Sequence, residues 1–167
     1  MALIKQGSLA EDPFRRVADE DSLPASGAVL VSLERWQKDR AELLDRGKPV
    51  GVLLRSDQSP ELIADDLGSI ALIALEFPQF RDGRAYSYAR MLRDRFDYSG
   101  EVRAVGEVLM EQLHFMLRTG FDAFEIEGDN PLSQFEAAKS DFTVWYQPTG
   151  DGRRTATELR HRGRGDV

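Results

Sequence analysis

Short apolar runs, each followed by a more polar stretch, recur along the chain at Ala28–Leu33, Val50–Arg55, Ile70–Leu75, Val102–Val105, Ala123–Ile126 and Phe142–Tyr146. A strand that is apolar on both sides must be covered on both faces, and parallel strands need a long crossover between them. The alternation therefore predicts an α/β domain over residues 28–148, with a mainly parallel sheet of five to six strands in repeated βα units. Six units are too few for a complete eight-fold barrel, so the pattern fits either an open sheet or a partial barrel. Ile70–Leu75 is the most continuous of the runs and belongs at the centre.

The intervening stretches carry helix punctuation. Glu34–Asp45 closes on Arg46-Gly47, and Ser59 can cap a short helix that has Pro60 at its first position and runs through Asp66. Arg84–Phe96 and Pro131–Lys139 read as helices, as does Glu107–Thr119, which stops at Gly120. Residues 1–27 form an N-terminal extension, mostly loop, in which Leu3 and Ile4 offer a strand. Residues 149–167 read as a flexible tail rich in arginine and glycine.

Of the 167 residues, 41% are hydrophobic and 31% charged, which is ordinary for a folded single domain. No apolar run approaches the roughly 18 residues that span a bilayer, and the start lacks the apolar core of a secretory signal. A cytoplasmic location is expected. The net charge of −7 argues against electrostatic binding to nucleic acid or to an anionic membrane. Without a single cysteine, this chain has no disulfide, no thiolate nucleophile and no cysteine-ligated cluster. The charge is uneven: residues 81–103 carry a net +2, whereas 1–80 carry −5 and 104–150 carry −6.

In parallel sheets, ligands bind beyond the carboxyl ends of the strands. The richest junction is Glu76-Phe-Pro-Gln-Phe-Arg-Asp-Gly-Arg84, where Asp82 can cap the next helix and Gly83 allows close backbone approach. Free N–H groups there favour an anion, and Arg81 and Arg84 add charge-assisted donors. Ser87 lies one turn further on, and Arg103 sits near the end of its strand, where it can converge on the same mouth. Glu76 and Glu107 are weak acid–base candidates, also near strand ends.

The helix at 107–119 is apolar over more than half its circumference, more than one sheet face covers. Met110, Phe115 and Met116 are therefore candidates for an interface with a partner or a second copy, with Gln112 making a buried polar contact in that arc. The narrow stripe of Glu107, Glu111, His114 and Arg118 reads as solvated. Two histidines so placed make no metal site, Glu125, Glu127 and Asp129 read as a charged loop, and no phosphate loop or dinucleotide fingerprint implies a cofactor.

Leu72-Ile-Ala-Leu-Glu-Phe-Pro78, Arg81-Asp-Gly-Arg84, Tyr86-Ser87, Gly100-Glu-Val-Arg-Ala-Val-Gly106, Gln112-Leu113 and Gly120-Phe-Asp-Ala-Phe124 together resemble the bacterial domain-of-unknown-function family numbered 934. The resemblance covers residues 28–148 and is densest over 72–124. Members are commonly named oxidoreductases of sulfite reduction, because their genes tend to lie beside that of assimilatory sulfite reductase. The resemblance implies a cytoplasmic accessory protein of sulfur assimilation that binds sulfite reductase, its electron donor or a small oxyanion. The other reading is an enzyme acting on a small sulfonated or phosphorylated metabolite at the strand mouth. Relatives often carry cysteine where this chain has Thr119, so a redox role at that position is not shared here. By matched positions, the resemblance selects Arg81, Asp82, Gly83, Arg84, Ser87, Arg103 and Gln112.

Overall fold

The computed structural model describes residues 1–140, 144–149 and 152–162. Three short strands, β1 (Ala2–Lys5), β2 (Ser8–Ala10) and β3 (Phe14–Arg16), precede the repeated units. The units follow as β4 (Ala28–Ser32), α1 (Leu33–Asp45), β5 (Val50–Leu54), a 3-10 helical run Pro60–Ser69, β6 (Leu72–Phe77), α2 (Arg84–Asp94), β7 (Glu101–Gly106), α3 (Met110–Thr119), β8 (Ala123–Ile126) and α4 (Pro131–Ser140). A last helix, α5 (Ala156–Arg162), lies in the segment expected to be a flexible tail. The expected sixth strand, Phe142–Tyr146, falls partly outside the described residues; within them Trp145 forms an isolated parallel bridge with Thr155.

The eight strands form one sheet in the order β2-β1-β8-β7-β6-β5-β4-β3. Strands β3 to β8 run parallel, while β1 pairs antiparallel with both β8 and β2. From β4 to β8, each unit lands beside the one before it and always in the same direction. With right-handed crossovers, such a single winding puts every helix on one face of the sheet. The sheet must then curl, because the helix layer outside occupies more room than the strands inside.

The curl is nearly complete. β2 and β3 are the two edges of the sheet, yet only Glu11, Asp12 and Pro13 separate them in sequence. Four Cα steps of 3.8 Å span at most about 15 Å, so the connection brings the two edges close together. Ion pairs cross the lumen at the same place: Arg16 of β3 meets Glu125 of β8 at 2.7 Å, and Asp12 meets Arg103 of β7 at 2.7 Å. The fold is thus the curled, mostly parallel open sheet that the partial-barrel reading anticipates. It has more strands than expected because the extension contributes three.

Strand alternation divides the core in two. Val29, Val31, Val52, Ile73, Leu75, Val102, Ala104 and Phe124 point outward and join Trp36, Leu43, Ala89, Leu92, Leu113, Met116 and Phe135 in the main core. The inward set, Leu30, Leu72, Ala74 and Val105, forms a small second cluster with Phe14 and Leu53. Room inside is scarce: a Cβ added to Gly51 would come within 3.0 Å of Leu72 and 3.1 Å of Leu30. A larger residue there would force the lumen apart.

Local chemistry explains the boundaries that differ from the sequence reading. The α2 cap is Gly83, one residue later than expected; Asp82 nevertheless accepts from the Arg84 N–H at 3.2 Å. The third long helix begins at Met110 and not at Glu107, because residues 106–109 turn away from the sheet. There the Glu107 N–H donates to the Phe77 carbonyl at 2.7 Å, and the Glu107 carboxylate accepts from the Phe80 N–H. Gly106 makes this turn possible. Its φ is +88°, and a Cβ would lie 2.5 Å from the Phe77 carbonyl oxygen.

Candidate functional site

Because β4 to β8 are parallel, their carboxyl ends gather at one mouth of the curled sheet. Register places the side chains there. Leu54 pairs with Leu75 and Glu76 with Val105, so Arg55 and Glu76 stand next to each other just beyond β5 and at the end of β6. Arg55 pairs with Glu34 of α1 at 2.6 Å and lies 3.7 Å from Asp57. Gln58 fixes this turn by accepting from the Arg55 N–H at 2.9 Å and donating to Glu34 at 3.0 Å.

Arg84 occupies the neighbouring position on the β6–α2 connection. Its Nε and Nη2 donate to the two oxygens of Asp82 at 3.0 and 2.6 Å, and Nη2 also donates to the Ser56 hydroxyl at 2.9 Å. The guanidinium is therefore oriented, while its side chain stays 54% exposed. Nη1 makes no hydrogen bond among the described residues, so its donors are unspent. The Asp82 carboxyl is held far below the usual range, above all by the hydrogen bond from Arg84, against a smaller upward push from desolvation. Arg81 and Ser87 are exposed beside it. The junction thus brings Arg81, Asp82, Gly83 and Arg84 together, with Ser87 one turn along.

Arg103 does not join them. It lies fully buried in the lumen, on the inward face of β7. Nε donates to Glu101 at 2.7 Å, Nη1 to Asp12 at 2.7 Å and to Glu125 at 3.2 Å, and Nη2 to Asp12 at 3.1 Å. Burial alone would lower its pKa, but the bonds to Asp12 and Glu101 more than reverse that. Lys5 adds a 2.6 Å pair to Glu101. Three cations and three carboxylates balance each other here, so Arg103 closes the sheet instead of meeting a ligand. The reason is register: Arg103 aligns with Ala74 inside β6 and with Ala123 at the start of β8, away from the carboxyl ends that form the mouth. Glu125 is spent in the same network, which removes it from any cation site with Glu127 and Asp129.

Glu107 is held by the Phe80 backbone, which leaves Glu76, of the two acid–base candidates, as the half-buried one at the mouth. The interface residues divide. Met116 is fully buried in the main core, and Gln112 is buried with its amide donating to the Phe80 carbonyl and accepting from the Leu109 N–H, each at 3.4 Å. Met110 and Phe115 are 38% and 42% exposed, and Phe80 is 51% exposed on the adjoining connection. Phe115 packs edge-on to Tyr86 at 4.9 Å, and burial pushes the Tyr86 phenol up to about 12. The expected solvated stripe is partly covered by the chain itself. Trp145 stacks on His114 at 5.7 Å, and the Arg118 guanidinium lies 4.2 Å from the same ring. Among the described residues, no group of three or more His, Asp or Glu is placed to hold a metal ion.

The family model described as bacterial protein of unknown function (DUF934) matches residues 51–157, nearly two thirds of the chain. The chain belongs to this family. The DUF934 match begins at β5, so it contains Arg55, Glu76, the Arg81–Arg84 junction and Arg103, but not Asp12 or Arg16. No curated protein matches this DUF934 chain. Sequence reasoning missed Arg55, Ser56 and Glu34 at the mouth. The signal was available: Arg55-Ser-Asp-Gln-Ser59 follows a strand as directly as the Arg84 junction does.

Proposed function

We propose that the protein is a cytoplasmic accessory protein of assimilatory sulfite reduction, and that it works by holding a small oxyanion at the carboxyl-terminal mouth of its curled sheet. One observation carries the choice of surface. Arg84 is oriented by Asp82 and Ser56 at the mouth while half of its side chain stays in solvent. A guanidinium held in place before a ligand arrives loses less entropy on binding, and its planar donors suit a tetrahedral or pyramidal oxyanion. Exposed Arg81 supplies a second positive charge. Asp82, Glu34 and Asp57 offset much of the remaining charge, which favours recognition of a small ion through directed bonds over a general pull on polyanions. The link to sulfur assimilation is supported by the resemblance of residues 72–124 to proteins whose genes lie beside sulfite reductase. Sulfite reductase or its electron donor is the partner this reading names, with exposed Met110, Phe115 and Phe80 as the contact beside the mouth.

An enzyme acting on a sulfonated or phosphorylated metabolite is the second reading, favoured by the placement of half-buried Glu76 next to Arg55. It predicts turnover that Glu76→Gln abolishes. The test of the first reading is growth on sulfate as sole sulfur source in a deletion strain. Wild-type protein restores growth, and Arg84→Ala does not; full restoration by Arg84→Ala overturns the site.

A further inference from the structure

On the β3–β4 side of the same mouth, a cavity of about 520 Å³ opens between the segment Arg16–Asp21 and the ends of β4 and β5. That size lies within the roughly 300–1,000 Å³ of small-molecule sites. Leu30 and Leu53, from the inward face of the sheet, make its floor together with Val17 and Val31. Its walls carry charge of both signs. Arg16 spends Nη2 on Glu125 and keeps a side chain 53% exposed, with further N–H donors unspent. Asp19 accepts from the Ser32 hydroxyl at 2.6 Å, whereas Asp21 has no ion-pair partner among the described residues.

Each simpler ligand leaves part of this lining unsatisfied. A plain anion on Arg16 would face the carboxylates of Asp19 and Asp21, a plain cation would face Arg16, and an uncharged apolar molecule would cover charged groups without pairing them. We propose that this cavity binds a zwitterionic small molecule of the apolar α-amino acid class, its carboxylate on Arg16, its ammonium group on Asp21 and its side chain on Leu30 and Leu53. The site is separate from the oxyanion position at Arg84 and does not depend on it.

Calorimetric titration of the full chain with L-leucine, L-methionine and L-phenylalanine tests the proposal, with 4-methylpentanoate and 3-methylbutan-1-amine as analogues of leucine that each lack one charge. At least one amino acid saturates the protein, and both single-charge analogues bind about tenfold or more weakly than leucine. Asp21→Asn, at an exposed position that does not threaten folding, weakens amino-acid binding by about tenfold and does not weaken 4-methylpentanoate, which then faces one carboxylate fewer. The proposal is overturned if none of the three amino acids saturates up to about 10 mM. It is equally overturned if a single-charge analogue binds as tightly as leucine, or if Asp21→Asn has no effect.

Discussion

Two arginines in this protein have the same kind of partners and opposite surroundings. Arg103, in the middle of the lumen, is fully buried among Asp12, Glu101 and Glu125; Arg84, at the mouth, is held by Asp82 and Ser56 and half exposed. Taking a guanidinium out of water costs several kcal/mol, roughly, which only multiple well-placed carboxylates offset. Arg103 is surrounded by such carboxylates and has none of its charge left for a ligand. Arg84 remains hydrated, so its bonds add little to stability and serve to set its direction. Depth in the fold, and not residue type, separates the buried clasp from the exposed guanidinium proposed as a binding group.

The largest effect that can break this comparison is at the clasp. Arg103→Met leaves Asp12, Glu101 and Glu125 with only Lys5 and Arg16 to balance them and should cost about 3–5 kcal/mol in urea denaturation. A loss below about 1 kcal/mol would mean that the network is solvated and the sheet is held otherwise. Gly106→Ala comes next. Its positive φ and the 2.5 Å approach to the Phe77 oxygen should cost about 1–3 kcal/mol, with the disturbance centred on the β7–α3 turn.

The clasp should also respond to acid. Burial by itself would raise the Asp12 carboxyl, but the Arg103 hydrogen bond, the Phe14 N–H and the charges of Arg103 and Arg16 outweigh it and keep it below its ordinary 3.8. A carboxyl lowered in the folded state stabilises the fold above the unfolded value, and that contribution fades as pH falls through the folded value. Stability should therefore drop below about pH 4, and the drop should be shallower in Asp12→Asn. Asp122 is raised by burial, which the Val102 N–H and Arg93 only partly offset, so its contribution falls as pH rises above 3.8 and runs against the Asp12 trend. A stability curve indifferent to Asp12→Asn would show that Asp12 does not fasten the seam.

Arg84→Ala should have the smallest effect on folding, with a denaturation midpoint indistinguishable from wild type, and should abolish oxyanion binding. A clear fall in the midpoint would make Arg84 a second clasp and erase the contrast with Arg103.

The repeated units were legible because their apolar runs must be covered on both faces, and the curl follows from their single winding. The extension was harder to read. β2 and β3 hold only three residues each, and their partners lie far along the chain, so local periodicity carries little of their signal. The Arg81–Arg84 junction was legible because it follows the most apolar strand and ends in a glycine cap. Arg103 was misplaced because alternation tells which face a residue takes but not how far it lies from the strand end. The coverage of α3 by Trp145 was illegible for a related reason: it joins residues about thirty apart through side chains alone.

Backbone amide shift mapping during titration with sulfite tests the central claim most directly, since it reports every position at once. Saturable changes confined to Arg55–Ser56 and Arg81–Arg84, with the amides around Arg103 unmoved and the response lost in Arg84→Ala, are the predicted result. Changes centred on the lumen network, or none at the mouth, would contradict the assignment of the mouth as the working end of the molecule.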